Sequence, residues 1–264
     1  MSVPRTVLIC HASDAFDREG LAAWLASFTE LAGIVVIEET REQRRARVKR
    51  ELRRVGWLRF GDVVAMRIYQ RLVLARRDRQ WARGALQAMK DRYGSTPDVP
   101  TVTIASINDD VAIAFMRSAA PDIVIARCKQ LMKRKAIGLA RIGCFVMHPG
   151  ICPEYRNAHG CFWALAERDL DKVGMTLLKI DAGVDTGPVY GHYSVDVDER
   201  NESHVVIQYR AVLDNLDEVA ERLIDIANGS ARPIDTRSRE SAVWGQPWLT
   251  RYLRWKRAAR MLNP

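Results

Sequence analysis

The sequence predicts an α/β protein built on a mostly parallel, twisted sheet, and three observations support this. Short apolar runs alternate along the chain with longer segments of helical periodicity. The runs are too uniformly apolar to be half-exposed strands, which fits a sheet covered by helices on both faces. The chain has 264 residues, 48% hydrophobic and 28% charged, enough for a large core and unlike a disordered, collagenous or coiled-coil sequence.

In chain order, Thr6-Val7-Leu8-Ile9-Cys10-His11 is the first expected strand, residues 14–28 carry a helical pattern, and Ile34-Val35-Val36-Ile37 is the second strand. Strand, helix, strand is the start of an open α/β sheet. Thr101-Val102-Thr103-Ile104, a helix near residues 110–119 and Asp122-Ile123-Val124-Ile125-Ala126 repeat the alternation. Cys144-Phe145-Val146-Met147 adds a strand, and a helix is expected around residues 162–167. From Met175 the rhythm changes, and residues 175–180 and 189–197 read as two strands around a glycine-containing turn. Val205, Tyr209, Val212, Leu216, Val219, Leu223 and Ile226 then recur at spacings of four and three, predicting one docking helix capped by Gly229. Residues 1–229 are read as one α/β domain. Residues 230–264 form a C-terminal extension in which Trp244, Trp248 and Trp255 stand among basic residues, suited to wrapping the body or to self-association.

The net charge of +9 is concentrated in a basic helical insertion, residues 41–93, with 17 Lys/Arg against 5 Asp/Glu. Its first helix has only a narrow apolar seam, Val48, Leu52 and Val55. After a break at Gly56 and Gly61, a second helix is apolar around most of its circumference, with Arg67, Gln70 and Arg71 as its polar stripe, so it must pack against something. The charge suits a solvated surface insertion or an anionic partner: a nucleotide-linked substrate, a nucleic acid or an acidic membrane surface. No stretch approaches the roughly 18 apolar residues of a membrane span, and the first residues do not read as a signal peptide, so a cytoplasmic location is expected. Five cysteines (Cys10, Cys128, Cys144, Cys152, Cys161) lack CxxC spacing and read as small hydrophobes, with neither a disulfide framework nor a metal site.

The densest chemistry follows the strand ending at Met147, in His148-Pro149-Gly150-Ile151-Cys152-Pro153-Glu154-Tyr155-Arg156-Asn157-Ala158-His159-Gly160. Loops at the carboxyl ends of strands are where open α/β sheets build their sites. A second candidate is Asp181-Ala182-Gly183-Val184-Asp185-Thr186-Gly187-Pro188. A carboxylate beside an imidazole can orient it and share its proton, as acid-base chemistry near neutral pH requires.

Together with Trp163-Ala164-Leu165 and Gly174-Met175-Thr176, these segments resemble the core of the formyltransferase family, which includes glycinamide ribonucleotide, methionyl-tRNA and sugar-nucleotide formyltransferases. The resemblance is specific over residues 123–197, looser over 1–39, and does not cover the basic insertion or the tail. It implies a Rossmann-like fold and transfer of a formyl group from N10-formyltetrahydrofolate to an amine, using an Asn, a His and an Asp. His148 and Asp185 match the last two, whereas the Asn position is Val146, which cannot donate a hydrogen bond. Loss of one oxyanion donor typically costs about 10² to 10³ in rate. An Asn157-Ala158-His159 triplet imitates the missing spacing elsewhere in the loop, or a protonated His148 carries the oxyanion, or the chemistry has changed.

The resemblance places the donor pocket at Arg127, Cys128, Gln130, Leu131 and Met132 and at Asp181, Gly183 and Val184, with Arg127 and Lys129 in reach of a folate glutamate tail or another anion. Tyr155, Arg156, Asn157, His159 and His11 are assigned to the acceptor, a small or nucleotide-linked amine such as an amino sugar. With about 35 residues after Gly229, the sequence has no room for the C-terminal barrel of methionyl-tRNA relatives. The alternatives are a formyl hydrolase, another acyl or carbamoyl transferase on the same fold, and a non-catalytic anion-binding protein.

Overall fold

A computed structural model describes residues 3–262. Its strands are β1 (Arg5–His11), β2 (Glu30–Ile37), β3 (Thr101–Ile104), β4 (Ile123–Ala126), β5 (Gly143–Pro149), a two-residue β6 (Arg156–Asn157), β7 (Gly174–Lys179), β8 (Val189–Ser194) and a two-residue β9 (Val243–Trp244). Seven form one sheet in the order β3-β2-β1-β4-β5-β7-β8, with β1 to β5 mutually parallel, β7 antiparallel to β5, and β8 antiparallel to β7. β6 and β9 pair separately as a short parallel ribbon. Thus the mostly parallel α/β sheet expected from the apolar runs is present, with all seven expected strands in it.

The middle strand shows why such runs carry the signal. Val7, Leu8, Ile9 and Cys10 are all fully buried; Leu8 and Cys10 join Trp24, Phe145 and Trp163 in one core, while Val7 and Ile9 join Val35, Ile113 and Met116 in another across the sheet. A strand covered on both faces has no position at which a polar residue is favoured.

The helices are α1 (Ala22–Ala26), α2 (Arg41–Tyr69), α3 (Ala75–Tyr93), α4 (Asp110–Ala119), α5 (Arg134–Ile137), α6 (Gly160–Ala166), α7 (His204–Leu213), α8 (Leu216–Ala227) and α9 (Leu249–Leu262). Three differ from expectation. The helical pattern of residues 14–28 opens as a wide π turn, Phe16–Leu21, before α1. The break at Gly56 is real, with φ of +76°, but Gly61 lies inside α2, where one glycine costs only about 1 kcal/mol. The long docking helix is two helices. Asn215 sits between α7 and α8 with its side-chain Nδ2 donating to the carbonyls of Ser194 and Ala211, both at 2.9 Å, so it ties the turn to the end of β8. Gly229, with φ of +74°, follows α8 as expected of a left-handed stop.

The basic insertion docks through a limited contact. Val63, Met66 and Met89 are buried, Tyr69 packs on Tyr252, and Met89 Sδ occupies the space that a Cβ on Gly20 would need. The second helix does pack on the body, as its apolar residues require, but only through part of its circumference: Ile68 is 54% exposed, Val73 56% and Leu72 77%. The extension lies on the body. Trp163 Nε1 donates to the Gly245 carbonyl at 2.9 Å, Trp244 Nε1 to that of Glu154 at 2.8 Å, and Trp255 Nε1 to Glu199 Oε1 at 2.7 Å.

Candidate active site

Val146 and His148 point to the same face of β5, because side chains two apart on a strand share a side. On the antiparallel neighbour, Leu178 stands opposite Val146 and Thr176 opposite His148. The chain then leaves the sheet through Gly150. Its φ is +150°, and a Cβ there would fall 2.7 Å from Gly160 Cα and 2.9 Å from the Tyr155 carbonyl oxygen. Only glycine allows this approach of loop to helix. The buried Thr176 hydroxyl donates to the Gly150 carbonyl at 2.7 Å and accepts from the Cys152 N–H at 2.9 Å. The loop after His148 is therefore clamped from β7.

This clamp sets the histidine. His148, 5% exposed, donates through Nε2–H to the Tyr155 carbonyl at 2.8 Å. A carbonyl can only accept, so the proton of the neutral ring resides on Nε2 and the lone pair on Nδ1. Nδ1 stands 3.6 Å from Asp185 Oδ2, an ion-pair distance too long for a direct hydrogen bond. The same Oδ2 accepts from the Asn157 N–H at 2.8 Å, and Asp185 itself adopts a left-handed φ of +50°. A proton accepted at Nδ1 would create an imidazolium facing a fixed carboxylate.

The remaining loop residues mostly build this pair. Asp181 Oδ1 accepts from the Gly183 N–H at 2.9 Å and the Thr186 hydroxyl at 2.8 Å, so Asp181 shapes the turn while Asp185 faces the imidazole. Arg156 Nη1 donates to the Val184 carbonyl at 3.1 Å, joining β6 to that turn, and its buried Nε has no partner among the described residues. Asn157 turns its side-chain Nδ2 to the Trp244 carbonyl, so the amide nitrogen of the Asn157-Ala158-His159 triplet is directed to the tail instead of standing in for the missing donor. Tyr155 also differs from expectation: its phenol enters the body, donating to Asp169 Oδ2 at 3.1 Å and stacking on Trp244, and its carbonyl is what meets His148. His159 precedes α6 with φ of +56° and Nδ1 3.2 Å from Gln208 Oε1; burial, reinforced by the Lys129 charge, pushes its ring down to about 4.

The segment after β4 departs from the expected pocket in one important respect. Arg127 reaches no open surface: Nε lies 3.1 Å from Asp17 Oδ1, Nη1 donates to the Met147 carbonyl at 2.5 Å, and the two side chains are 11% and 6% exposed. Its charge is neutralised internally and is not available to a folate tail. Gln130 is likewise engaged, accepting from the Ile107 N–H at 3.0 Å and donating to the Ala105 carbonyl at 2.8 Å, while Met132 is buried in the core. Cys128 is half-buried, its thiol pushed up to about 11 by burial. Leu131 and Val184 are exposed, by 55% and 42%. His11 accepts at Nε2 from the Lys129 N–H at 3.1 Å, linking the ends of β1 and β4, and burial, then Lys129, lowers its ring.

Sequence reasoning named Thr176 only within a motif, without its role in clamping the loop, and missed an acidic cluster beside Arg127. Tyr209 donates to Asp14 Oδ2 at 2.8 Å, and Asp14 Oδ1 accepts from the Asp17 N–H at 3.2 Å. The available signal was Asp17 itself, an acid between Phe16 and Leu21 on a helical stretch whose neighbours are buried. Among the described residues no three His, Cys, Asp or Glu side chains gather as metal ligands.

Residues 85–215 match the family model described as formyl transferase. The methionyl-tRNA formyltransferase of Thermotoga maritima is 28% identical over 152 residues, covering 57% of this chain and 43% of that protein. The match thus spans less than half the length of this relative. In fold, the chain resembles the phosphoribosylglycinamide formyltransferase of Anaplasma phagocytophilum, with a TM-score of 0.56, 13% identity and coverage of 93% of this chain and 100% of that one. A sugar N-formyltransferase from a Shewanella species gives a TM-score of 0.54 at 12% identity, covering 91% and 76%. His148 and Asp185 both fall within the matched segment, and that segment, residues 85–215, belongs to the formyltransferase family.

Proposed function

We propose that this protein transfers a formyl group from N10-formyltetrahydrofolate to the amine of a small or nucleotide-linked acceptor, such as an amino sugar. The observation that carries the reading is the His148–Asp185 pair, 3.6 Å apart, with Nε2 pinned on the Tyr155 carbonyl so that Nδ1 is the proton-accepting atom. The donor supplies an electrophilic formyl carbon. Attack by the amine forms the new C–N bond and leaves a surplus proton on the attacking nitrogen. His148 Nδ1 takes that proton, Asp185 stabilises the imidazolium, and the proton passes to N10 as the old C–N bond breaks, returning a neutral ring. The exposed apolar side chains of Leu131 and Val184 suit the flat face of a pterin. On the acceptor side we place His11, His159 and Arg156, whose buried Nε is unpaired.

Val146 favours a second reading. It is half-buried against Cys152, Leu178 and Val189, an apolar wall where the resemblance expects an amide donor. That wall is compatible with hydrolysis of the formyl donor, or with transfer of another acyl or carbamoyl group. Calorimetric titration with a non-hydrolysable N10-formyltetrahydrofolate analogue tests the donor site without knowledge of the acceptor. Binding at about micromolar or tighter, weakened about tenfold or more by Asp185→Asn, is expected. No detectable binding refutes the folate-dependent reading, and formate release without any amine selects the hydrolase.

A further inference from the structure

One face of the second half of α2 holds the C-terminal tail, and the other turns a row of large apolar side chains to solvent. Trp57 is 79% exposed, Leu58 95%, Val64 38% and Ile68 54%; Leu72 and Val73, on the wide turn after α2, are 77% and 56% exposed. Positions 57, 61, 64, 68 and 72 recur at spacings of four and three, the spacing of one helix face. The opposite face is the docked one: Val63 and Met66 are buried, Asp62 accepts from the Thr250 N–H at 3.0 Å, and Tyr69 packs on Tyr252. The apolar row therefore points away from the body, and around Gly61, within it, a Cβ would meet nothing within 4 Å. Scattered exposed hydrophobics are ordinary, but a contiguous row marks an interaction surface.

Its surroundings are basic. Arg53, Arg71 and Arg76 are exposed, in a segment with 17 Lys/Arg against 5 Asp/Glu, while Arg54 pairs with Glu51 and Arg67 donates to Gln246 of the tail. α9, which packs beside α2, holds five basic and no acidic residues, and exposes Leu253 by 48% and Met261 by 66%. Charge complementarity selects the occupant. A second copy would bring one strongly basic segment against another. A nucleic acid would satisfy the arginines but would leave Leu58, Ile68, Leu72 and Val73 without an apolar counterpart. An anionic bilayer answers both features, with guanidinium groups among lipid phosphates and the apolar row at the acyl boundary. No described helix is long and apolar enough to cross a membrane, so the contact would run along the surface.

We infer that α2 and the turn after it dock this protein on an anionic lipid surface through the apolar row of residues 57–73. The inference is independent of the formyl-transfer reading. The test is co-sedimentation of the full chain with vesicles of phosphatidylcholine alone and of phosphatidylcholine with phosphatidylglycerol. The chain is expected to sediment with the anionic vesicles, and Leu58→Asp combined with Leu72→Asp to weaken that partition about tenfold or more, since two apolar contacts are lost. Both side chains lie in solvent, so the double variant should keep the parent's unfolding midpoint. If the aspartates lower it, Leu58→Ser with Leu72→Ser carries the same test. The inference is overturned by absence of binding to anionic vesicles or by equal binding of parent and double variant. It is also overturned by a dimer in light scattering that the double variant dissolves, or by binding to an RNA oligonucleotide without vesicle binding.

Discussion

Replacing Arg127 by Met asks whether the cation behind His148 is a structural member of the sheet edge. The guanidinium is 3.1 Å from Asp17 Oδ1 and donates to the carbonyl of Met147, the residue before His148. Methionine fills much of the same volume but leaves a buried carboxylate without its cation and a strand carbonyl without its donor. Removing one partner of a buried pair costs about 3–5 kcal/mol and an orphaned carbonyl about 1–3; the two penalties overlap, so about 4 kcal/mol is expected at pH 7. Burial holds Asp17 up at about 6 even with Arg127 beside it, and without that charge the carboxyl rises further. The folded pKa is then above the unfolded one, so the folded chain keeps a proton the unfolded chain has released. Stability of the variant therefore falls as pH rises through that window, and its deficit shrinks between pH 7 and pH 5. Urea unfolding at both pH values reads this directly. Asp17→Leu with Arg127→Met removes both charges and should return to within about 2 kcal/mol of the parent, a coupling of at least about 2 kcal/mol. A loss under about 1 kcal/mol in the single variant, or additive losses in the double, refutes the reasoning.

Three further outcomes are expected. Burial pushes His204 down to about 3 and His159 to about 4, so below about pH 6.5 the unfolded chain takes protons that the folded chain refuses; each ring costs about 2 kcal/mol of stability by pH 5, and His204→Phe should flatten the acid limb of the urea midpoint against pH. Val146→Asn, at a half-buried position beside Leu178, should cost about 1 kcal/mol of stability in thermal unfolding while raising formyl transfer about tenfold or more; an unchanged rate would mean this face of β5 does not meet the formyl group. Gly150→Ala forces a Cβ against Gly160 Cα and should lower stability by about 2–4 kcal/mol and abolish donor binding by calorimetry, whereas a fully active variant would show that the loop is not clamped as described.

What could be read from the sequence follows from how local each signal is. β1 was legible because burial on both faces imprints an apolar run on consecutive residues. The division between α7 and α8 was not, because Leu216 and Val219 remain buried after the turn and the spacing of apolar residues continues through it. The break shows in the non-helical backbone of Asn215 and in its bonds to Ser194 and Ala211, one of which is made to another element. Arg127 was visible as a base after a strand, but its partner lies 110 residues earlier, and nothing local distinguishes a buried ion pair from an anion site. The proximity of His148 to Asp185 was suggested by the family-like order of motifs, whereas the orientation of the ring depends on the Tyr155 carbonyl, a backbone atom that residue identity does not encode.

The candidate site also extends beyond the segment that matches the family model. The family match ends at residue 215, yet β6, whose Asn157 N–H holds Asp185, is paired by β9 from residues 243–244. Trp244 stacks on Tyr155 and on Trp163, and its carbonyl accepts from Asn157 Nδ2. The tail is itself held by α2: Arg67 donates to Gln246 Oε1 at 3.3 Å, Arg59 lies 5.2 Å over the Trp248 ring, and Asp62 accepts from Thr250. Contacts therefore run from α2 through the tail to Asn157, and from there to Asp185 and His148. A loop carrying five chemically active side chains over an apolar wall has little core of its own, and a paired strand with stacked tryptophans supplies the burial that fixes it. The α2 part of the basic insertion and the tail, both outside the segment that matches the family model, thereby help to determine where Asp185 stands.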